Sequence, residues 1–291
     1  MLKRYRKEII RYSVIFFAYI LSFGAGFLFI FFFQDQQSIL ATSFYADVIA
    51  TVVIFVIGLL FRNASFYDPY WSLAPFALCF YWTFMSQINY TMRFEYLMLA
   101  LAVWGSRLTF NWARGWKSVK QEDWRYGLLR KKTGAYFPLV NFFGIHLFPT
   151  AIVFCAMLPA YYAVRQQAYE SGILDVLAFL ICLCATLIEL IADDQQRSFR
   201  EDRKDERDFC TIGLWRYSRH PNYFGEVLFW WGIYLFALAA SISFWWTIIG
   251  PILMTMMFIF ISIPMMEEHM LAKNPQYVQY QRYIAMLVPW Y

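Results

Sequence analysis

Long apolar stretches alternate with short polar segments along the whole chain. Eight of these stretches are long enough, or nearly so, to cross a hydrocarbon layer of about 30 Å as an α-helix. The pattern predicts an all-α, polytopic membrane helix bundle with about eight transmembrane helices. The predicted spans are residues 13–33, 46–61, 69–87, 94–112, 138–164, 173–192, 223–240 and 243–263.

The amino-acid composition also indicates a membrane protein. Of the 291 residues, 60% are hydrophobic and only 15% are charged, whereas soluble domains are about half apolar. A surface this apolar needs lipid to cover it. The net charge of +5 is modest, and no DNA-binding motif or aromatic-basic RNA pattern occurs, so we expect no nucleic-acid partner.

The positive charges fall almost entirely in alternate polar segments. If the N-terminus lies inside, 22 of the 25 Lys and Arg residues occupy inner segments, and only Arg93 and Arg165 occupy outer ones. Cytoplasmic loops of membrane proteins carry such an excess of basic residues. The sequence therefore predicts a multi-pass integral protein of a bacterial inner membrane, with both termini in the cytoplasm and an uncleaved first span.

Several ionisable residues lie inside or at the ends of the predicted spans, where a charge is costly and often functional. They are Asp68, Arg107, Glu189, Asp193 and Glu226. A set of structural ion pairs would explain each of them singly. Because several fall at a similar depth, one polar cavity that opens to the cytoplasm explains them together.

Two basic regions flank this predicted cavity. Glu189, Asp193, Arg197 and Arg200 are spaced to form one stripe on a helix, and Arg219 precedes a helix start that begins at Pro221, where an anion would be stabilised. A basic belt against anionic lipid is the alternative for the arginines.

The other basic region interleaves Trp and Tyr with Arg114 and Arg125 within residues 114–132, which suits a nucleotide or, equally, interfacial anchoring. Glu267 and Glu268 end the last span. The tail after them is expected to form an amphipathic segment on the cytoplasmic face.

One motif in the C-terminal half is specific. The run Arg219-His-Pro-Asn-Tyr-Phe-Gly-Glu226, with Glu267-Glu-x-x-Leu271 after it, resembles the steroid 5-alpha-reductase-like membrane reductases, a superfamily shared with sterol reductases and isoprenylcysteine carboxyl methyltransferases. Glu189-x3-Asp193-x6-Arg200 and Asn222-x3-Glu226-x3-Trp230 are similar to the reductases' cofactor stretches. The resemblance covers about residues 46–291 and leaves residues 1–45 as an extra N-terminal span.

The resemblance implies an NADPH-dependent oxidoreductase that reduces a carbon–carbon double bond of a lipophilic substrate, such as a steroid enone or isoprenoid, entering from the bilayer. Membrane lipids are the other expected contacts, and no obligate protein partner or metal site is expected. The implied catalytic residues are Asp68, Tyr223 and Glu226. The implied cofactor-binding residues are Arg107, Arg114, Arg125, Glu189, Asp193, Arg197, Arg200, Arg219, His220, Asn222, Tyr223, Glu226, Trp230, Glu267 and Glu268.

Two other functions stay open at this point. The Arg-His-Pro motif and the Glu267-Glu268 pair also fit a methyltransferase that uses S-adenosylmethionine. The position of the reductases' substrate-polarising tyrosine falls near Trp104, which has no phenol. That substitution favours a non-enzymatic protein that binds lipid or sterol on the same scaffold.

Overall fold

The structure, a computed structural model, describes residues 2–85, 91–166 and 171–289, with side chains from residue 10 onward. Within these ranges the chain is helical and forms no strand, which confirms the all-α prediction. The α-helices are α1 (Leu2–Phe33), α2 (Ile39–Phe61), α3 (Tyr70–Met85), α4 (Met92–Gly115), α5 (Trp124–Thr133), α6 (Phe137–Val140), α7 (Phe148–Arg165), α8 (Ile173–Asp202), α9 (Pro221–Ala240), α10 (Ile249–Met257), α11 (Ile263–Lys273) and α12 (Tyr277–Tyr283).

Non-α turns link some of these helices. Two π-helical segments, Asn141–Leu147 and Phe258–Ser262, make the helical path continuous from α6 to α7 and from α10 to α11. Short 3-10 turns lie at Ala64–Phe66, Gly134–Tyr136, Gly213–Arg216 and Ile242–Ile248.

Six helical segments in the described chain are long and apolar enough to cross a membrane. Their length and composition support the predicted multi-pass membrane protein. The predicted spans 69–87 and 94–112 also form helices, but α3 has only 16 residues and α4 carries four charged side chains. Residues 86 and 87 of the first of these lie outside the described residues. The six segments are Ile10–Phe33, Ile39–Phe61, Trp124–Arg165, Ile173–Asp202, Pro221–Ala240 and Ile242–Lys273.

Helix α1 exposes the surface expected of a lipid-facing span. Phe16, Phe17, Phe27, Phe31 and Phe32 are each more than 60% exposed. Water would not solvate such a continuous aromatic face on a soluble protein. Lipid is the solvent that this face requires.

The chain packs as two units. Unit 1 consists of Met1–Asn89 and Trp104–Met157, and unit 2 consists of Tyr90–Val103 and Leu158–Tyr291. The predicted boundary at residue 45 separates the extra N-terminal span from the part that resembles the reductases. The packing units do not test this boundary, so it stays a prediction.

In unit 1, α1 packs against α2 as part of the core. The Ser22 hydroxyl donates to the Ala50 carbonyl at 2.7 Å, and the Tyr19 hydroxyl donates to the Phe66 carbonyl at 2.9 Å. A carbonyl oxygen has two lone pairs, so the Ala50 carbonyl can accept from the Ser22 hydroxyl and keep its helical hydrogen bond. The first span is therefore built into this unit.

Helix α3 meets the C-terminal half of α4 closely in the same unit. A Cβ on Gly105 would collide with the Ser72 carbonyl oxygen, so the glycine permits this approach. The Ser72 and Thr109 hydroxyls share a hydrogen bond at 2.9 Å. Trp104 is fully buried, with its ring edge-on to Trp71 at 5.8 Å.

In unit 2, α8 and α9 pack through small residues. A Cβ on Gly225 would lie 2.5 Å from Cγ of Glu189 and 2.7 Å from the Ala185 carbonyl oxygen. A Cβ on Gly232 would lie 2.6 Å from Sγ of Cys182. Glycine at these two positions brings the helix backbones together and holds Glu189 against α9.

A buried ion pair joins the start of α4 to the first turn of α8 within unit 2. Nε of Arg93 lies 2.7 Å from Oδ1 of Asp175, and a second guanidinium nitrogen lies 3.1 Å from Oδ2. Both side chains are only 1% exposed. Asp175 also accepts from the Gly172 backbone N–H at 2.9 Å and so caps α8.

Candidate functional site

The predicted site residues divide between the two units. Unit 1 contains Asp68, Arg107, Arg114 and Arg125. Unit 2 contains the remaining members, which are Glu189, Asp193, Arg197, Arg200, Arg219, His220, Asn222, Tyr223, Glu226, Trp230, Glu267 and Glu268.

The loop before α5 is anchored on the turn between α2 and α3 in unit 1. The Asn63 amide donates to the carbonyls of Val119 and Gln121 at 2.7 and 3.0 Å. The Ser65 hydroxyl accepts from the Asp123 backbone N–H at 2.8 Å. These bonds fix the start of α5 beside residues 63–68, although almost 60 residues separate the two segments in sequence.

This anchoring places Tyr126 on Asp68. The phenol donates to Oδ1 of Asp68 at 2.5 Å, the length of a strong, charge-assisted hydrogen bond. Burial raises the pKa of the Asp68 carboxyl from 3.8 to about 7, and the nearby charge of Asp123 adds to the rise, while the hydrogen bond from Tyr126 opposes it. Asp68 and Tyr126 thus form an acid–phenol pair that can hold a proton near neutral pH.

Tyr126 was not predicted as a partner of Asp68. One feature of the sequence signals a helix start there: Asp123 caps α5 by accepting from the Arg125 backbone N–H at 2.9 Å. In the first turn of a capped helix, the direction of a tyrosine side chain relative to the helix axis is defined. The sequence does not show which segment that turn faces.

The arginines of unit 1 have partners within their own region. Arg125 pairs with Asp123 at 2.8 Å, and both side chains are partly exposed. The Arg114 guanidinium lies 4.9 Å from the Phe110 ring centroid and donates to Asn111 at 3.2 Å. Their predicted role in cofactor binding, like that of Arg107, stays a prediction.

In unit 2 the segment before α9 wraps the C-terminal half of α8. Gly213 has φ +60°, a conformation that favours glycine, and a Cβ there would collide with the Gln195 side chain. The Leu214 backbone N–H donates to Oε1 of Gln195 at 2.8 Å, and the Trp215 indole donates to the Ala192 carbonyl at 3.0 Å. This wrap aligns the start of α9 with the polar stripe on α8.

The polar stripe on α8 meets the start of α9 at two points, Asp193 with Asn222 and Glu189 with Gly225. The Asn222 amide donates to Oδ1 of Asp193 at 3.2 Å. Glu226, only 3% exposed, accepts from the Trp230 indole at 2.8 Å. Glu189, 2% exposed, packs its stem on Gly225, the residue next to Glu226. These residues were predicted to line one cavity, and the structure brings them to one helix–helix interface.

Arg219 and His220 converge on Glu267. Nε of Arg219 lies 2.6 Å from Oε1 of Glu267, and Nε2 of His220 donates to the same oxygen at 3.1 Å. Oε2 of Glu267 accepts from the Gln281 amide at 2.8 Å. The His220 ring stacks on the Tyr223 ring with centroids 5.4 Å apart.

The same arginine also fastens the C-terminal tail. Arg219 donates to the carbonyls of Gln281 and Ile284 at 2.8 and 2.7 Å, and the Ser218 hydroxyl donates to the Leu287 carbonyl at 2.7 Å. The guanidinium of Arg219 is therefore largely engaged within the protein, whereas Arg200 on α8 is exposed. Among the predicted cofactor-binding residues of unit 2, Arg200 and Glu268 are exposed, whereas Arg219 and Glu267 are engaged with each other.

A small pocket adjoins this cluster. Its lining includes Gln196, His220, Asn222, Tyr223 and Tyr277. The space open to the centres of water molecules is about 50 Å³, whereas one water molecule needs about 10–15 Å³. The pocket therefore has room for a few water molecules or one small polar group.

Comparisons with known proteins place the chain beside proteins without an assigned function. A family described as "Protein of unknown function (DUF1295)" matches residues 54–286, a range that includes all the predicted site residues and begins after α1. "Uncharacterized protein C594.04c" of Schizosaccharomyces pombe is 28% identical over 255 residues, which cover 78% of this chain and 73% of the yeast protein. No solved structure matches the chain.

Proposed function

The chain belongs to the DUF1295 family, and on that premise we propose that it is a steroid 5-alpha-reductase-like, NADPH-dependent membrane reductase of a carbon–carbon double bond in a lipophilic substrate. Substrate would enter from the bilayer. The proposed membrane is a bacterial inner membrane, with both termini in the cytoplasm.

The observation that carries the proposal is the hydrogen bond between Asn222 and Asp193. It joins the two stretches that resemble the cofactor-binding stretches of the reductases, one on α8 and one on α9. Neither residue is needed to pack an apolar helix pair, because glycines already do so at Gly225 and Gly232. A polar link at this interface is better explained by a polar ligand.

The residue types in unit 2 fit a dinucleotide. A carboxylate such as that of Asp193 suits ribose hydroxyls, and the exposed Arg200 suits a phosphate. The pocket beside Asn222 has room for a carboxamide-sized group, so the phosphates would lie along the exposed end of α8. When bound, the cofactor would supply a hydride.

The residues of the chain would supply the proton and exclude water. In unit 1 the Tyr126 phenol donates to Oδ1 of Asp68 at 2.5 Å, and Asp68, whose pKa is raised to about 7, would be the acid of this pair. In unit 2, Glu226 is held by Trp230, and Tyr223 is held by its stack on His220, so both present fixed polar groups in an apolar helix.

Cofactor binding is the direct test. Purified protein in detergent is heated with NADPH at up to millimolar concentration, and we expect a rise in Tm, because a ligand at 100 times its Kd stabilises a fold by about 2.7 kcal/mol. Asp193→Asn should reduce the rise strongly. Asp194→Asn, the exposed neighbour on the same helix, is the matched control and should keep it. No rise at millimolar NADPH would refute the proposal.

A methyltransferase is the second candidate. The cluster of Arg219, His220 and Glu267 carries it, since these residues belong to the part of the motif that both enzyme classes share. The Asp193 link favours the reductase. Stabilisation by S-adenosylhomocysteine in place of NADPH would favour the methyltransferase.

Topology needs its own measurement. Reporter fusions at each terminus, one active only in the cytoplasm and one active only outside it, should report the cytoplasm at both ends. An external signal from either terminus would exclude the proposed orientation. The basic segments would then lie on the side of the membrane opposite to a cytoplasmic cofactor.

A further inference from the structure

The π-helical segment Asn141–Leu147 in unit 1 holds buried polar groups that the proposed function does not use. It interrupts a long helical stretch that is apolar enough to cross a membrane. π-helical turns are rare and are found frequently at functional sites. His146, within this segment, is fully buried.

The hydrogen bonding of His146 fixes its tautomer. Nδ1 lies 2.9 Å from the Asn141 carbonyl oxygen, which can only accept, so Nδ1 carries the hydrogen. Nε2 of the neutral ring is then a bare acceptor. Nε2 has no hydrogen-bond partner among the described residues, and the same holds for the buried Oδ1 of Asn141.

Neighbouring hydroxyl groups cannot supply the missing hydrogen. The Thr150 hydroxyl donates to the His146 carbonyl at 2.9 Å. Having used its one hydrogen, it accepts from Thr51 at 2.9 Å and from Tyr67 at 2.8 Å. The hydrogens of all three hydroxyls are committed, so none of them can donate to Nε2, and no other donor among the described residues does so.

The surroundings indicate the kind of molecule that brings this donor. The His146 ring contacts Phe55 and Tyr67, with centroids 5.2 and 4.8 Å away. Leu139 and Phe143, near the same turn, are each more than half exposed. Because this helical stretch is apolar enough to cross a membrane, we expect lipid to cover these two side chains. The neutral imidazole carries no charge to offset an ammonium group, which favours a neutral hydroxyl.

We infer that the Asn141–Leu147 turn is a binding site for a lipophilic alcohol, whose hydroxyl donates to Nε2 of His146. The body of the alcohol lies against the aromatic rings and reaches the site from the bilayer. This site requires none of the cofactor-binding residues, so its existence is independent of the reductase proposal.

Photolabelling tests the inference on the full-length protein in detergent micelles, without NADPH. The first probe is a sterol that carries a diazirine, an alkyne and a free hydroxyl, and its partner is the methyl ether of the same sterol. A linear pair, a diazirine-bearing hexadecanol and its methyl ether, distinguishes a sterol from a fatty alcohol. Labelling is read by peptide mapping of residues 137–150.

We expect each ether to label this segment at least about tenfold less than its alcohol, because the ether leaves a buried acceptor unsatisfied. His146→Phe should lower the alcohol signal to the ether signal, and His146→Gln, which keeps an acceptor, should restore part of it. His269→Phe, in unit 2, is the matched control and should change nothing.

Equal labelling by alcohol and ether in the wild-type protein would overturn the inference. The same conclusion follows if His146→Phe, folded as judged by its elution and Tm, keeps the alcohol preference. Either result would mean that Nε2 is satisfied by a buried water molecule only. The wild-type comparison decides the matter even if a variant fails to fold.

Discussion

The acid–phenol pair of unit 1 makes a prediction about stability and pH. The perturbation is Asp68→Asn, which keeps an oxygen that accepts from Tyr126 but removes the ionisable group. The folded protein holds the Asp68 proton up to about pH 7, whereas the unfolded chain releases it near pH 3.8. Between these values the folded state binds more protons, so wild-type stability falls as pH rises.

The magnitude follows from the displaced pKa. A pKa displacement of about three pH units, at 1.36 kcal/mol per unit, corresponds to about 4 kcal/mol lost between pH 4 and pH 7. Asp68 keeps some exposure to solvent, so this figure is an upper limit. Below pH 4 the carboxyl is protonated in both states and its contribution is complete.

The assay is thermal unfolding in detergent from pH 4 to pH 8 for the wild type and the variant. We expect the Tm of Asp68→Asn to gain on that of the wild type as pH rises through this range. Asp205→Asn serves as control, since Asp205 has a 42% exposed side chain and a pKa lowered to about 2 by its hydrogen bonds with Arg207. A difference between wild type and Asp68→Asn that stays constant with pH would refute the buried-acid reasoning.

Two further predictions concern unit 2. Asp175→Asn should destabilise the protein by about 3–5 kcal/mol, because it leaves the Arg93 charge buried without its partner, and replacing both residues by apolar ones should recover most of the loss. Unfolding in denaturant measures the free energy of unfolding of both variants. A loss below about 1 kcal/mol for Asp175→Asn would mean that water solvates the ion pair. Gly225→Ala should cost about 1–3 kcal/mol by pushing α9 away from Glu189. Gly127→Ala, with open space around it in a helix, is the control and should be neutral or stabilising, so equal effects would contradict the packing argument.

The sequence alone was sufficient for the helices and for most of the residues that meet in unit 2. Whether a stretch can leave water depends on its own composition, so apolar spans are visible one segment at a time. The spacing of Glu189 and Asp193 predicted one polar stripe on α8, because helical periodicity determines which residues share a face, and the family resemblance named Asn222 on α9.

The sequence did not give the partners of the polar side chains. It proposed Arg219 as a phosphate ligand, but the structure commits that guanidinium to Glu267 and to the tail carbonyls of Gln281 and Ile284. A basic residue beside a motif looks the same in sequence whether it binds a ligand or an internal carboxylate. The choice is made by the path of the tail after α11.

The tertiary structure alone paired Asp68 with Tyr126 and left Nε2 of His146 buried without a donor. The first pairing joins residues 58 positions apart through a loop anchored on Asn63, and the second depends on a local change from i→i+4 to i→i+5 hydrogen bonding. Composition and periodicity record how each segment partitions between water and lipid. They do not record which donor meets which acceptor, since that is decided by the packing of segments distant in sequence.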